Sequence, residues 1–162
     1  MPNVGPGFLP TRTAGRRFPW RQSHRLGPTT IRGGRCIAVM KYILIGLGGF
    51  LGANCRYLVG GWAAERFGST FPYGTLLVNV TGSFLIGLFL AITAERLVVA
   101  PNLRLLFAVG FLGAYTTFST FSFESLALLE ARAYTAATAN VLGNLLLAGL
   151  AVTLGVVFGR AL

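Results

Sequence analysis

One stretch of the sequence combines a glycine with five hydroxyl-bearing residues inside a long apolar segment: Gly113-Ala114-Tyr115-Thr116-Thr117-Phe118-Ser119-Thr120-Phe121. Threonine and serine side chains hydrogen-bond to nearby backbone and so compete with helical pairing, and glycine lowers helix propensity further. In a membrane, backbone that leaves the helix is tolerated only where protein or a water-filled cavity surrounds it. The stretch therefore predicts a break in a membrane helix that the rest of the chain encloses.

Polar and aromatic residues with helical spacing could line a path beside this break. Thr75, Asn79 and Ser83 recur every four residues, which places them on one helical face. The Asn79 amide either lines a pore or bonds a neighbouring helix, a contribution of about 0.6 kcal/mol on average. Phe118 and Phe121 also share a face. Such rings usually face lipid or core, but a ring edge carries partial positive charge that can meet an anion.

Three further polar residues lie within apolar segments. Arg56 lies in the first segment at a depth where a charge is costly, and it is either functional or snorkels to the membrane interface. Asn140 and Asn144 are one helical turn apart in the last segment.

The sequence contains no constellation that indicates an enzyme. It has no paired carboxylates, no Ser/His/Asp set and no phosphate-binding loop. Its two cysteines, Cys36 and Cys55, and its one histidine, His24, do not have the spacing of a metal site. We therefore predict that the protein is not an enzyme.

The amino-acid composition indicates whether water or lipid surrounds the folded chain. The chain is 54% hydrophobic and 11% charged, against about 25% charged residues in an ordinary soluble domain. Apolar runs of membrane-spanning length follow one another from Tyr42 onward, and they lack the polar face of a soluble helix. The sequence predicts an all-α membrane protein with spans near residues 42–64, 75–94, 103–129 and 133–158.

Four helices of about twenty residues enclose little space for a conduction path, so we expect an oligomer. Gly48 and Gly52 form a G-x-x-x-G motif, which lets another helix approach closely. The motif fits packing within one chain and a subunit interface equally well.

The charge of the chain is divided unevenly. Residues 1–39 hold seven arginines and no acid, whereas residues 40–162 hold seven basic and four acidic residues. The first segment, rich in Pro, Gly and Thr, is predicted to be disordered. An organelle transit peptide or a nucleic-acid-binding tail would have a similar composition. The interpretation that we favour is that translation starts at Met40, directly before the first span, and we expect no nucleic-acid partner.

Three motifs follow each other in the order and spacing of a known family. They are GGFLGANCRY at 48–57, GTLLVNVTGSF at 74–84 and GFLGAYTTFSTF at 110–121. With them, residues 40–162 resemble the CrcB/Fluc family of fluoride ion channels. The resemblance extends over three of the four spans, and its last motif is the most specific.

The resemblance implies an antiparallel homodimer in a plasma (inner) membrane, with two pores through which fluoride leaves the cell passively. The residues of this chain that match the family's pore are Asn79, Phe118, Phe121, Thr117, Ser119 and Arg56. Backbone carbonyls of Gly113 and Thr116 match those that hold a structural Na⁺ at the dimer centre. A broken helix offers such carbonyls.

One departure from the family lies on the last helix. Many relatives have a tyrosine and a serine where this chain has Asn140 and Asn144, so the polar track that lines the pore is altered. Asparagine can still donate a hydrogen bond to an anion. Neutral amide, hydroxyl and ring-edge donors bind a small anion weakly enough for it to leave again, as conduction requires.

Two other functions compete with a fluoride channel. A small dual-topology multidrug exporter would need a carboxylate in the first span, but the nearest acid, Glu65, lies past its end. A membrane scaffold that transports nothing would not explain the polar break. We expect fluoride efflux from liposomes to distinguish the three.

Overall fold

The computed structural model describes residues 31–95 and 100–162, with side chains described for 39–94 and 100–162. All secondary structure within these ranges is helical. Four helical spans are long and apolar enough to cross a membrane: Val39–Phe67, Tyr73–Ala94, Pro101–Glu130 and Tyr134–Ala161. The protein is a multi-pass membrane protein, and the prediction of an all-α fold with four spans is confirmed.

The first helix begins earlier than the sequence predicted. It runs over Ile31–Phe67, so residues 31–39, predicted to be disordered, are helical. The physical reason is that no proline occurs between Pro28 and Pro72, and a helix propagates more easily than it nucleates. The predictions for residues 1–30, including disorder, a transit peptide or a nucleic-acid tail, lie outside the described residues.

A tight turn joins the first helix to the second, Tyr73–Glu95. Gly68 has a φ of +83°, and its N–H donates to the Ala64 carbonyl oxygen at 2.9 Å. A left-handed glycine at this place is a common way for a helix to end. Next to the turn, the ring of Tyr73 lies 5.3 Å from that of Phe67 and 4.8 Å from that of Phe71. Aromatic residues of this kind are enriched at the membrane–water interface.

The G-x-x-x-G motif packs inside the chain. A Cβ atom on Gly48 would collide with the Leu106 carbonyl oxygen, and one on Gly52 would collide with the Phe111 carbonyl oxygen. Both glycines therefore let the first helix lie directly against the backbone of the third span, which decides between the two interpretations of the motif in favour of intramolecular packing.

The third span is broken where the sequence predicted. Helical turns over Pro101–Arg104, Leu105–Leu112 and Gly113–Tyr115 end at Thr116, and a new helix covers Phe118–Glu130. Thr116 (φ −81°, ψ 157°) and Thr117 (φ −150°, ψ 121°) are extended. The segment Leu105–Leu112 has π-helical pairing.

The fourth span follows after a turn in which Arg132 adopts a positive φ of 58°. It consists of Tyr134–Leu142, a π-helical segment Gly143–Leu147, and Ala148–Ala161. Single π-helical turns are frequent at functional sites, and this one contains Asn144. The fourth span packs mainly against the second, which brings their polar residues together.

Candidate ion path at the helix break

The side chain of Asn79 closes the break in the third span. The Thr117 N–H donates to Asn79 Oδ1 at 2.9 Å, and Asn79 Nδ2 donates to the Thr117 carbonyl oxygen at 3.1 Å. The amide thus takes the place of a backbone partner for a residue that has left the helix, as buried backbone requires. Of the two roles that the sequence allowed for Asn79, the structure shows the hydrogen bond to a neighbouring span.

The new helix begins with a side-chain cap. Thr117 Oγ1 accepts from the Thr120 N–H at 3.2 Å and donates to Thr120 Oγ1 at 3.0 Å. Threonine is a favoured residue at this position because its oxygen satisfies an N–H that has no helical partner. Ser119 is exposed, with its hydroxyl 3.3 Å from Thr117 Oγ1.

The break leaves the carbonyl groups of the preceding helical turn without their helical donors, and those of Gly113 and Thr116 are among them. In a continuous helix Gly113 would accept from the Thr117 N–H and Thr116 from the Thr120 N–H. Those two N–H groups donate instead to Asn79 Oδ1 and to Thr117 Oγ1. The Thr117 carbonyl, by contrast, is bonded to Asn79. Gly113 and Thr116 therefore have carbonyl oxygens that are available to another ligand.

A cavity of about 260 Å³ lies beside the break. It brings together five of the residues predicted to line a path: Asn79, Thr117, Phe118, Phe121 and Asn144. Thr116, Ser83 and several small or aliphatic residues complete the lining, and none of the lining residues is charged. Arg56, Ser119 and Asn140 do not line it. Arg56 is half-buried on the first helix.

The two phenylalanines lie at the edge of this cavity in different environments. Their ring centroids are 5.5 Å apart with planes at 59°. Phe121 is buried, with 7% of its surface exposed, whereas Phe118 is 76% exposed in the single chain. Rings inclined in this way turn edges as well as faces to the space between them, and the edges carry the partial positive charge.

A chain of buried amides continues from Asn79 into the fourth span. Asn79 Nδ2 donates to Asn144 Oδ1 at 2.8 Å, and Asn144 Nδ2 donates to Asn140 Oδ1 at 2.9 Å. Asn140, which has no exposed surface, donates from Nδ2 to Ser125 Oγ at 2.9 Å. Ser125 was missed by the sequence reasoning. Its position four residues after Phe121 was the available signal, because that spacing places both on one helical face.

Thr75 and Glu124 meet at a second cavity of about 330 Å³. Thr75 Oγ1 donates to Glu124 Oε1 at 2.8 Å, and Glu124 Oε2 is buried without a hydrogen-bond partner among the described residues. The polar stripe of the second helix therefore reaches both cavities, with Thr75 beside the carboxylate and Asn79 and Ser83 beside the break. The sequence placed Thr75 on this stripe but did not indicate its partner.

Fold and site together define a class: a multi-pass membrane protein with a broken span and, beside the break, an uncharged cavity that amide and hydroxyl side chains line. The family model of the CrcB-like protein, Camphor Resistance (CrcB), matches residues 43–156, and the chain belongs to this family. It is 46% identical to the fluoride-specific ion channel FluC of Koribacter versatilis over 119 residues, which are 74% of this chain and 94% of that protein.

Other FluC proteins show similar agreement. The fluoride-specific ion channel FluC of Acidobacterium capsulatum is 48% identical over 121 residues, 75% of this chain and 97% of its own length. That of Trichormus variabilis is 45% identical over 119 residues, 73% of this chain and 87% of its own length. The resemblance to the CrcB/Fluc family that three sequence motifs indicated is confirmed.

Proposed function

We propose that the protein is a fluoride channel of the plasma (inner) membrane that lowers cytoplasmic fluoride by passive export. The observation that carries the proposal is the cavity at the break, where Asn79, Phe118 and Phe121 meet without a charged residue. Relatives with more than 40% identity are named fluoride-specific ion channels. They are channels and not enzymes, and the same holds for this protein.

The chemistry of the cavity suits a small, strongly hydrated anion. Fluoride gives up its water only where other donors replace it, and the ring edges are such donors. The Asn79 amide and the Thr117 hydroxyl become donors to the ion when they exchange one of their present acceptors, Asn144 Oδ1 or Thr120 Oγ1, for it. A fixed lysine or arginine at the same place would hold the ion instead of releasing it. An inside-negative potential of 100 mV contributes about 2.3 kcal/mol per charge, or roughly fifty-fold in concentration, toward export.

The working unit that we propose is an antiparallel homodimer in the lipid bilayer. In the most apolar window of the first span only 11% of the residues are buried within the chain, against 33% for the third. Asn54 on the first helix and Thr120 after the break are exposed. Polar side chains at membrane depth face protein or water and not lipid, so a second subunit is the natural cover for these faces.

The proposal includes a structural Na⁺ held by the carbonyl oxygens of Gly113 and Thr116 from each subunit. Hard cations prefer oxygen ligands, and these two carbonyls have lost their helical donors. Gly113 is exposed in the single chain and can therefore meet a partner. When bound, the ion would compensate the carbonyl dipoles that the break leaves unpaired and join the two subunits.

The decisive experiment measures anion efflux from proteoliposomes loaded with fluoride or chloride. We expect rapid fluoride efflux, read with a fluoride electrode, once a potassium ionophore dissipates the opposing potential, and no comparable efflux of chloride. Liposomes without protein give the leak of hydrogen fluoride, and the assay at neutral pH keeps that leak small. Equal rates for the two anions, or no efflux above the protein-free control, would refute the proposal.

A further inference from the structure

Two amide side chains meet beside the break, and backbone groups fix the orientation of both. Asn79 Oδ1 accepts from the Thr117 N–H at 2.9 Å, and Asn79 Nδ2 donates to the Thr117 carbonyl oxygen at 3.1 Å. On the fourth span, Asn144 Nδ2 donates to the Asn140 carbonyl oxygen at 3.0 Å. A backbone N–H can only donate and a backbone carbonyl can only accept, so a flip of either amide would set like groups against each other.

This anchoring determines which atoms the two amides present to each other. Asn144 directs Oδ1 at Asn79 Nδ2, at a distance of 2.8 Å. Asn79 Nδ2 therefore uses both of its hydrogens, one on Asn144 Oδ1 and one on the Thr117 carbonyl oxygen. Both amides line the cavity beside the break, and Asn144 is buried, with 6% of its surface exposed. An oxygen atom of the protein thus already occupies the amide donor of the cavity.

An anion needs the same donor. Fluoride is an acceptor, so it binds the Asn79 amide only when one of the two protein oxygens withdraws. The Thr117 carbonyl belongs to the backbone that leads directly into the helix Phe118–Glu130, and its position is set by that helix. The oxygen that can withdraw is the one on a side chain, Asn144 Oδ1.

We propose that Asn144 sets the affinity of the path for the anion, because its Oδ1 competes with fluoride for an N–H group of Asn79. The inference rests on the proposed fluoride channel. Each ion that binds at Asn79 breaks one buried hydrogen bond, and each ion that leaves allows this bond to form again. The competition keeps binding weak and release fast, as conduction requires.

The test is the fluoride concentration that gives half-maximal current through the reconstituted protein in planar bilayers. In Asn144→Leu the side chain has no acceptor, and the ion displaces only water from Asn79. We expect the half-maximal concentration to fall about fivefold, the factor that corresponds to one hydrogen bond of average net strength. The maximal current should fall as well, because an ion that is bound more tightly leaves more slowly.

Two further variants distinguish competition from a general disturbance of the fourth span. Asn144→Asp loses the amide donor, as Asn144→Leu does, but keeps an oxygen toward Asn79, so it should not lower the half-maximal concentration. Asn140→Leu is the matched control one helical turn away, because the backbone carbonyl that orients Asn144 remains. It should lower stability, since Asn140 is 0% exposed, and leave the half-maximal concentration unchanged.

A second readout does not depend on current. Fluoride should raise the unfolding temperature of Asn144→Leu at lower concentrations than that of the unsubstituted protein, since a ligand that binds the folded state stabilises it. Asn144→Ala has a side chain too small to obstruct the cavity, and it should show a shift in the same direction in both measurements.

Two results would overturn the inference. One is a half-maximal concentration that is unchanged or raised in Asn144→Leu and Asn144→Ala. The other is a fall of the same size in Asn144→Asp or Asn140→Leu. Absence of fluoride current in the unsubstituted protein would instead remove the proposed function, so the two failures are distinguishable.

Discussion

Asn79 is bonded to both backbone groups of Thr117, with its Oδ1 2.9 Å from the N–H and its Nδ2 3.1 Å from the carbonyl oxygen. This pair joins the second span to the break in the third. It satisfies backbone that has left the helix, which in a membrane span needs a partner other than lipid. The same amide lines the cavity, so one side chain stabilises the break and lies where we propose that the ion passes.

Asn79→Leu should therefore lower both stability and fluoride flux. The substitution leaves the Thr117 N–H and carbonyl without their partner, which costs about 1–3 kcal/mol for an unsatisfied buried group. Thermal unfolding in detergent and fluoride efflux measure the two effects. Asn102→Leu is the control, because Asn102 is exposed near the start of the third span. An Asn79→Leu protein as stable as the control would show that the break does not depend on this amide.

The break was predictable because its signal is local. Glycine, threonine and serine within Gly113–Phe121 weaken the helix by themselves, and the four spans follow from runs of apolar residues. The partners of Ser125 and Thr75 were not predictable. Asn140 and Glu124 reach them only after the spans have packed, and no pattern within one helix encodes that register.

Substitutions of Phe118 and Phe121 distinguish effects on conduction from effects on stability, because the two rings differ in burial. Phe118→Ile should slow fluoride efflux by about tenfold or more, since an aliphatic side chain has no positive edge for an anion. It should leave stability unchanged, because Phe118 is 76% exposed in the single chain. Phe121→Ile should slow efflux as well and should also destabilise, because Phe121 is buried.

Phe123→Ile is the matched control for the ring pair, since Phe123 is 71% exposed on the same helix and does not line the cavity. Efflux rates and the dimer fraction in detergent are measured for all three variants. If Phe118→Ile and Phe121→Ile conduct at the unsubstituted rate, the two rings have no part in the mechanism.

The first helix packs so closely on the third span that we expect no side chain larger than hydrogen to be accepted at Gly52. Gly52→Ala would place a methyl group against the Phe111 carbonyl oxygen, and overpacking of this kind costs about 1–3 kcal/mol. Gly149→Ala should be neutral or stabilising, because nothing lies within 4 Å of a Cβ atom there and alanine favours the helix by about 1 kcal/mol. The unfolding temperatures of the two variants measure this difference. Equal values would contradict the close packing of Gly52 against the Phe111 carbonyl.

A sodium ion between the subunits should make dimer stability depend on the cation. An ion that binds only the assembled form stabilises it, so the dimer should dissociate less readily in sodium salts than in N-methylglucamine salts of equal ionic strength. Cross-linking after dilution in detergent measures the dimer fraction. Equal dissociation in the two salts would show that no sodium ion bound by Gly113 and Thr116 stabilises the dimer. Fluoride efflux, measured in parallel, tests the channel function separately.

The distribution of basic residues predicts the orientation of each subunit, because an excess of lysine and arginine in short loops keeps a segment in the cytoplasm. With four spans, both termini and the loop between the second and third spans lie on one side. From Met40 onward the basic residues of that side are Lys41, Arg96, Arg104 and Arg160. The other side has Arg66 and Arg132, with Arg56 as a third if it snorkels there. Four basic residues on one side against two or three on the other are a small bias, which still allows the chain to insert in both orientations, as an antiparallel dimer requires.

Residues 1–39 change this balance, because they add seven arginines to the side of the termini and make it eleven against two or three. We expect a protein that begins at Met40 to insert in both orientations and to conduct fluoride. The full sequence should insert mainly with its termini inside and conduct less, because an antiparallel dimer then lacks its inverted partner. A tag after Leu162, probed with protease from each face of the membrane, measures the orientation. A Met40 protein found in one orientation only would show that either the antiparallel dimer or the charge argument is wrong.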